Sequence, residues 1–432
     1  MRDPKWPALM PSRTITNPER ELKAAVQVPG DKSLSHRSLL FAAIAEGDSY
    51  VTGLGTGDDV ASTVSAIRAL GVRVDGNQVR SPGRTGWSQP TEPIDCGNSG
   101  TTIRLLAGAL ATSSIHVTLV GDESLSMRPM GRLVEPLRSL GGHIEVSERG
   151  SAPLHVGGVS APHAATISID VASAQVRSSF ELAALAASGP STIDSPAGFR
   201  DHTERWLEAA GRGSWSSDTM FRIDPGPLAP ARYDIPGDPS SAAYLWALAA
   251  IMPGSEVLTP GISLNPGRLG FLEVLGKMGA GIEAAVTGSV GGDPIGDVKV
   301  LGRELRGIDV GGELVASTLD ELPLVAVLAA FAEGITHVSE AEELRVKESD
   351  RIDATTAMLR ALDGGIELSD DGFAVVGTGS LSGGTVDSRG DHRIAMAATV
   401  AALRADGPVE ILGAECAAVS WPDFYDTMES VW

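Results

Sequence analysis

Cysteine is nearly absent: the chain has 432 residues and two of them, Cys96 and Cys416. They lie far apart and match no metal-ligand spacing. A reduced cytoplasmic protein without disulfides, metal or other cofactor is therefore expected. Aromatic residues make up only 4%. Positive charge is also scarce, with 34 Lys and Arg against 55 Asp and Glu and a formal charge of −21. A molecule this acidic has neither nucleic acid nor an anionic membrane as its partner. No apolar run reaches membrane-spanning length. The longest, Ala242–Met252 and Leu322–Ala332, read as buried helices. The opening residues, MRDPKWPALMPSR, hold no apolar core of signal-peptide length.

What is present is glycine, 51 residues of it, and a repeat. The length exceeds what one hydrophobic core ordinarily serves, so two domains are expected. An amphipathic helix that stops at a small residue, followed by an aliphatic strand, recurs along the chain. The stops fall at Gly71, Gly141, Gly211, Gly279 and Gly364, at intervals of 70, 70, 68 and 85 residues. The closing PDFYDTMESVW fits a truncated sixth helix. Helix periodicity with a C-terminal glycine, then a strand, marks each unit. Six βα units predict an α/β fold with three units per domain.

A second repeat fixes the halves. PGDKSLSHRSLLFAA begins at Pro29 and PGDPSSAAYLWALAA at Pro236, with six of fifteen positions identical. Each reads as a Pro-Gly turn opening a helix capped by Asp or Ser. Equivalent turns in two equivalent domains place hinge strands near 28–30 and 235–237. One domain is then 30–236, and the other is discontinuous, 1–29 plus 237–432.

Against the acidic background a few cations occupy pointed positions. In PGDKSLSHR, Lys32, Ser33 and Arg37 stand at a helix start, where backbone N–H groups and the dipole favour an anion. It is not a Walker A loop, because the glycine spacing is wrong. In CGNSGTTIRLL, Gly100 lets a ligand approach the backbone. Arg128 precedes Pro129 and so sits in extended chain. Ser173 and Gln175, in SAQVRS, offer neutral donors suited to sugar-like hydroxyls. Arg200 starts the helix of RDHTERW. In LRVKESDRI, Lys347 and Arg351 are four apart, on one helical face with an anion between them, and Glu348 lies beside them for proton transfer. Arg393 opens another helix, in GDHRIAMA. Asp320, before an apolar helix, is either a cap or a general base. Asp58 and Asp59 read as plain helix-start charges. Each motif alone is equally an ordinary capped helix.

Together, PGDKSLSHR, GNSGTTIRLL, SMRPM, SAQVRS, RDHTE, ELRVKESDR, GDHRIAMA and SWPDF stand in the order found in the 5-enolpyruvylshikimate-3-phosphate (EPSP) synthase family. The chain resembles that family over nearly its whole length. The resemblance implies a two-domain inside-out α/β barrel with the active site between the domains. It implies transfer of the enolpyruvyl group of phosphoenolpyruvate to the 5-hydroxyl of shikimate 3-phosphate, by addition and elimination in a monomeric enzyme of aromatic biosynthesis and a glyphosate target. By motif position, Ser33, Arg37, Ser173, Arg200, Asp320 and Lys347 would bind shikimate 3-phosphate. Lys32, Gly100, Arg128, Gln175, Arg351 and Arg393 would bind phosphoenolpyruvate. Glu348 would handle the methylene proton, and Asp320 or Lys32 the attacking hydroxyl. Most shikimate 3-phosphate contacts would fall in the 30–236 domain.

Three positions depart from the pattern. Ser420 stands where many members carry Lys, Ala174 where some carry Ser, and Glu343 where others carry Asn. The rival readings are a transferase acting on UDP-N-acetylglucosamine, an RNA 3′-phosphate cyclase and a repeat-built binding scaffold. The first uses a loop cysteine and the second nucleotide signatures, neither found here. The scaffold predicts no clustering of cations.

Overall fold

The computed structural model describes residues 11–18 and 20–431. The expectation for the first ten residues, and Trp432 at the end of the sixth repeat, lie outside them.

Six small sheets carry the described strands, five of four strands and one of three. One pairing order recurs. In the sheet of Ile94–Asp95, His116–Val120, Leu154–Gly157 and Ile144–Glu145, the first pair is parallel and the next two are antiparallel. The sheets led by Thr166–Ser168 and Asp309–Val310 repeat this order. Two more do so with an edge strand borrowed from far away. Lys23–Ala25 lies parallel to Glu256–Ser263, and Arg232–Asp234 lies parallel to Glu46–Thr52. In the sixth sheet Gly384–Asp387 runs parallel to Val409–Leu412, and Ser12–Ile15 pairs antiparallel on its other side.

The repeat read from glycine spacing coincides with these sheets. Left-handed backbone follows the helices Asp58–Ala69, Val134–Ser139, His202–Ala209 and Gly270–Met278, at Gly71, Gly141, Gly211 and Gly279 with φ of 91°, 73°, 65° and 109°. That conformation crowds a Cβ, so glycine ends the helix at least cost. The fifth copy departs from the sequence reading. Helix Arg351–Arg360 is followed by its left-handed residue at Asp363, φ 58°, not at Gly364. Asp tolerates that region better than most residues, because its short side chain bonds locally. The sixth helix is Phe424–Ser430.

Apolar side chains gather in two cores. One runs from Leu34 to Ile235, joined by Val290. The other joins Ile15, Leu22 and Val26 to residues between Ala242 and Met428. Helices Pro239–Ala250 and Leu322–Ala330 are buried on every side, as the apolar runs from Ala242 and from Leu322 require. Each large aliphatic side chain so buried contributes ~1.5–3 kcal/mol.

The chain passes between the cores at the two Pro-Gly turns, and the passages pair with each other. Gly30 bridges Gly237. The Asp31 N–H donates to the Pro236 carbonyl at 2.7 Å, and the Asp238 N–H to the Pro29 carbonyl at 2.9 Å. At Gly30 a Cβ would lie 1.7 Å from the Gly53 carbonyl oxygen, so only glycine fits. The hairpin of Gly281–Val290 and Asp293–Leu301 makes a third link. Its fully buried Asp293 accepts from Trp206 Nε1 at 3.0 Å and meets His202 Nδ1 at 3.0 Å.

Candidate active site

Both Pro-Gly turns open buried helices through an aspartate cap. Asp31 accepts from the Leu34 N–H at 2.9 Å, and Asp238 from the Ser240 N–H at 2.8 Å. Lys32 is the first residue of Lys32–Ile44, and its Nζ donates to Asp59 Oδ2 at 3.0 Å. Asp59 is therefore not the plain helix-start charge expected from sequence, although exposed Asp58 is one. Burial pushes the Asp59 pKa up, but Lys32 and its neighbours hold it below the usual value. Arg37 is buried beneath this corner. It donates to Thr203 Oγ1 at 2.7 Å, Ser178 Oγ at 2.8 Å and the Ser33 carbonyl at 3.1 Å.

Beside it, Ser99 caps helix Gly100–Ala111. Arg128 is extended before Pro129, as expected, and its Nη2 donates to Asn98 Oδ1 at 2.7 Å. Gln175 accepts from Arg104 Nη1 at 2.6 Å and donates to Thr101 Oγ1 at 3.0 Å. Two guanidiniums overhang Gly100. A Cβ there would stand 2.8 Å from Arg104 Nη1 and 3.3 Å from Arg128 Nη1. Burial and nearby Arg128 push the Arg104 pKa down to about 10, so it remains charged at neutral pH. Ser173 occupies the cap position of helix Ala174–Ala184, yet its hydroxyl caps nothing.

The other core supplies the facing side. Lys347 and Arg351 do not share a helical face, contrary to the four-residue spacing. Lys347 ends the short turn Glu342–Val346 in extended backbone, and the helix begins at Arg351 behind its cap, Asp350. The two cations converge all the same, on Asp320. Lys347 Nζ lies 3.6 Å and Arg351 Nη1 3.3 Å from Asp320 Oδ1, and Arg200 Nη2 from the first core lies 3.0 Å from Oδ2. Asp320 sits in the turn Leu319–Glu321, and the cap position of helix Leu322–Ala330 falls to Glu321. Glu348 bridges Arg351 Nη2 at 2.7 Å and Arg128 Nη2 at 3.4 Å, again across the two cores. Arg351 also donates to Asp391 at 2.9 Å, and Arg393 Nη1 lies 3.6 Å from Glu321.

These pairs set the protonation states. Burial raises the Asp320 and Glu348 pKa values, but their cations overcome it. Lys347 and Arg200 lead at Asp320, and Arg351 with Arg128 acts at Glu348, leaving both carboxyls well below the usual range. Burial alone therefore does not make Glu348 a proton donor. His392, next to Arg393, is pushed down to about 4 by burial, then by that arginine, and is neutral at pH 7. Burial pushes the Cys96 thiol up to about 12 and Cys416 to about 11, so neither is a thiolate nucleophile.

An open cleft of about 670 Å³ is lined by Asp122, Met127, Arg128, Val346, Lys347 and Glu348. A separate, smaller cavity of about 20 Å³ lies among Lys32, Asp59, Tyr244, Arg393 and Ser420. Of the expected residues, Arg128, Lys347 and Glu348 line the open cleft and Lys32 and Arg393 the small cavity, while ion pairs tie Arg200, Asp320 and Arg351 to Lys347 and Glu348. Sequence reasoning missed Asp59, Arg104, Asn98 and Glu321. Only Arg104 carried a signal, standing one helical turn after Gly100.

A family model described as EPSP synthase (3-phosphoshikimate 1-carboxyvinyltransferase) matches residues 16–428. A Chloroflexus aurantiacus protein named 3-phosphoshikimate 1-carboxyvinyltransferase is 44% identical over 97% of this chain and 98% of its own. One of the same name from Herpetosiphon aurantiacus is 43% identical over 96% and 97%. Among solved structures, EPSP synthase from Acinetobacter baumannii superposes with a TM-score of 0.87 at 37% identity, covering 97% of this chain and 98% of that one.

Proposed function

Because the chain belongs to the EPSP synthase family and transfers the enolpyruvyl group of phosphoenolpyruvate to shikimate 3-phosphate with release of phosphate, we propose that the cleft between the two cores is where it does so. The observation that carries this reading is the surplus of cations meeting there from both cores: Arg200, Lys347 and Arg351 around Asp320, and Arg128 with Arg351 around Glu348.

Shikimate 3-phosphate is bound by Ser33, Ser173, Arg200, Asp320 and Lys347, with Arg37 supporting Ser33 from below. Phosphoenolpyruvate is bound by Lys32, Gly100, Arg128, Gln175, Arg351 and Arg393. Arrival of the two anions resolves the protonation problem. Phosphate and carboxylate groups take over the cations that hold Glu348 and Asp320 ionised, and exclusion of water then raises both pKa values. Glu348 gives a proton to the methylene carbon of phosphoenolpyruvate. The 5-hydroxyl attacks the adjacent cationic carbon and passes its proton to Asp320 or Lys32. The tetrahedral intermediate loses phosphate as the methyl proton returns to Glu348. Preorganised cations around the developing charge are worth ~3–4 kcal/mol each in such a step.

The remaining architecture follows the same reading. Two domains, 30–236 and 1–29 with 237–432, each a three-unit half of an inside-out α/β barrel, turn about hinge strands near 28–30 and 235–237. The two separate cores and the recurring sheet order support this. No described helix is long and apolar enough to cross a membrane. The enzyme works as a cytoplasmic monomer on small anionic substrates, without nucleic acid. The test is phosphate release from phosphoenolpyruvate. Release that requires shikimate 3-phosphate is expected; release without it, or none with it, contradicts the reading.

A further inference from the structure

Arg268 belongs to none of the motifs above, yet it occupies the centre of the hinge. It sits in the turn Pro266–Arg268, just before helix Gly270–Met278, with its side chain 4% exposed. One end of its fork, Nη1, points to Asp31 Oδ2 at 3.3 Å and Ser33 Oγ at 3.5 Å. The other, Nη2, donates to Asp238 Oδ1 at 2.9 Å and Ser240 Oγ at 2.8 Å. A single guanidinium thus joins the caps of the two equivalent helices, one rooted in each core.

The consequences reach the substrate side. Asp238 Oδ2 accepts from the Lys32 N–H at 3.0 Å, so the cap of one half holds the backbone of the other half's lysine. Ser240 Oγ donates to Glu321, which faces Arg393 at 3.6 Å. Ser33 is therefore tied to Arg268 directly, Lys32 through Asp238, and Arg393 through Ser240 and Glu321. Asp31 and Asp238 are buried and repel each other; without a cation between them the caps would separate.

We propose that Arg268 is a positioning residue for the enolpyruvyl transfer. Its planar fork registers the two helix starts against each other and so aims Lys32 and Ser33 at the substrates. A lysine would keep the charge but could not span both carboxylates. The proposal rests on the functional reading above, so wild-type activity is measured first. No phosphate release by the wild type defeats that reading, and the exchange measurement below still judges the hinge.

Two variants are compared with wild type: Arg268→Lys, and Arg268→Met combined with Asp31→Asn and Asp238→Asn. The second removes all three charges and keeps both caps, because Asn caps helices well, but its single amide oxygen at 238 gives up the Lys32 N–H, so exchange at Lys32 is read in Arg268→Lys alone. In each, kcat falls roughly ten- to hundredfold, as misplacement of reacting groups by about 1 Å costs. The KM for phosphoenolpyruvate moves far less. Hydrogen exchange speeds up in the peptide containing the Lys32 amide, while the interior of Leu322–Ala330 stays protected. A purely structural role would lower the melting temperature and leave kcat per folded molecule unchanged. Wild-type kcat in a folded variant, or unchanged exchange at Lys32 in Arg268→Lys, overturns the proposal. So does failure of the neutral triple variant to fold, since the cluster would then be structural only.

Discussion

Where the two Pro-Gly turns meet, one cation serves two carboxylates; in the cleft one carboxylate is shared by three cations. The group at the turns is sealed, with Arg268 at 4%, Asp31 at 0% and Asp238 at 10% side-chain exposure. The cleft group is more open, with Asp320 at 20%, Arg200 at 23% and Lys347 at 29%, although its third cation, Arg351, is at 2%. A sealed cluster with excess negative charge has no use for an anionic ligand. An open one with excess positive charge is incomplete until anions arrive, in a chain that is otherwise acidic. A third cluster is sealed likewise but balanced. Arg177 lies between Glu204 and a Glu181 that burial and Glu204 hold toward the neutral acid, and all three are buried. Charge balance and exposure together separate the proposed binding site from the framework, where either alone would not.

The comparison can be broken first at Glu348. Glu348→Gln keeps the shape and removes the transferable proton, so kcat falls by ~10²–10⁴-fold. Steady-state kinetics with calorimetry of shikimate 3-phosphate binding checks this; an unchanged kcat removes Glu348 from the chemistry. Next is Lys347→Met. Losing one charge-assisted contact of ~1.5–3 kcal/mol raises the KM for shikimate 3-phosphate roughly ten- to hundredfold. An equal rise in both KM values would mean that Lys347 acts only on the general field. Smaller still is Gly100→Ala. Two flexible guanidinium ends swing clear of the methyl in the free protein but cannot do so around a bound ligand, a cost of about 1 kcal/mol in the complex that raises the KM for phosphoenolpyruvate roughly fivefold. Thermal unfolding should not change. A loss of stability without a change in KM would place the contact in the framework.

The smallest effect belongs to Glu181. Burial, then the neighbouring Glu204, raises its pKa well above the ordinary 4.5. Its folded state therefore favours the neutral acid, and stability is lost as pH rises above the unfolded value. Glu181→Gln removes that cost. The variant should be the more stable protein at pH 8, with an advantage that shrinks as pH falls toward 4.5. Denaturant unfolding at several pH values decides it; a variant less stable at pH 8 would mean that Glu181 is ionised against Arg177.

Much of the fold was legible because it is written locally. Helix stops at glycine and two matching Pro-Gly turns are short-range patterns, and they located the units and the crossings. Asp363 escaped because a neighbouring glycine drew the eye, while the left-handed position itself accepts Asp. The side chains that meet around Asp320 and Glu348 stood in legible motifs, but their pairings were not legible. Lys347 and Arg351 meet through Asp320, about thirty residues away, rather than through a helix turn. Asp59 looked like any first-turn acid until Lys32 was brought against it. Arg268 reaches Asp31 across 237 positions, a separation that no local pattern encodes.

The most direct measurement is a crystal structure with shikimate 3-phosphate and an unreactive phosphoenolpyruvate analogue bound together. The account predicts shikimate 3-phosphate on Arg200 and Lys347, the analogue on Arg128, Arg351 and Arg393, and the Arg128–Glu348 and Arg200–Asp320 pairs opened by the ligands. Ligands seated elsewhere, or seated there with those pairs still closed, would contradict it.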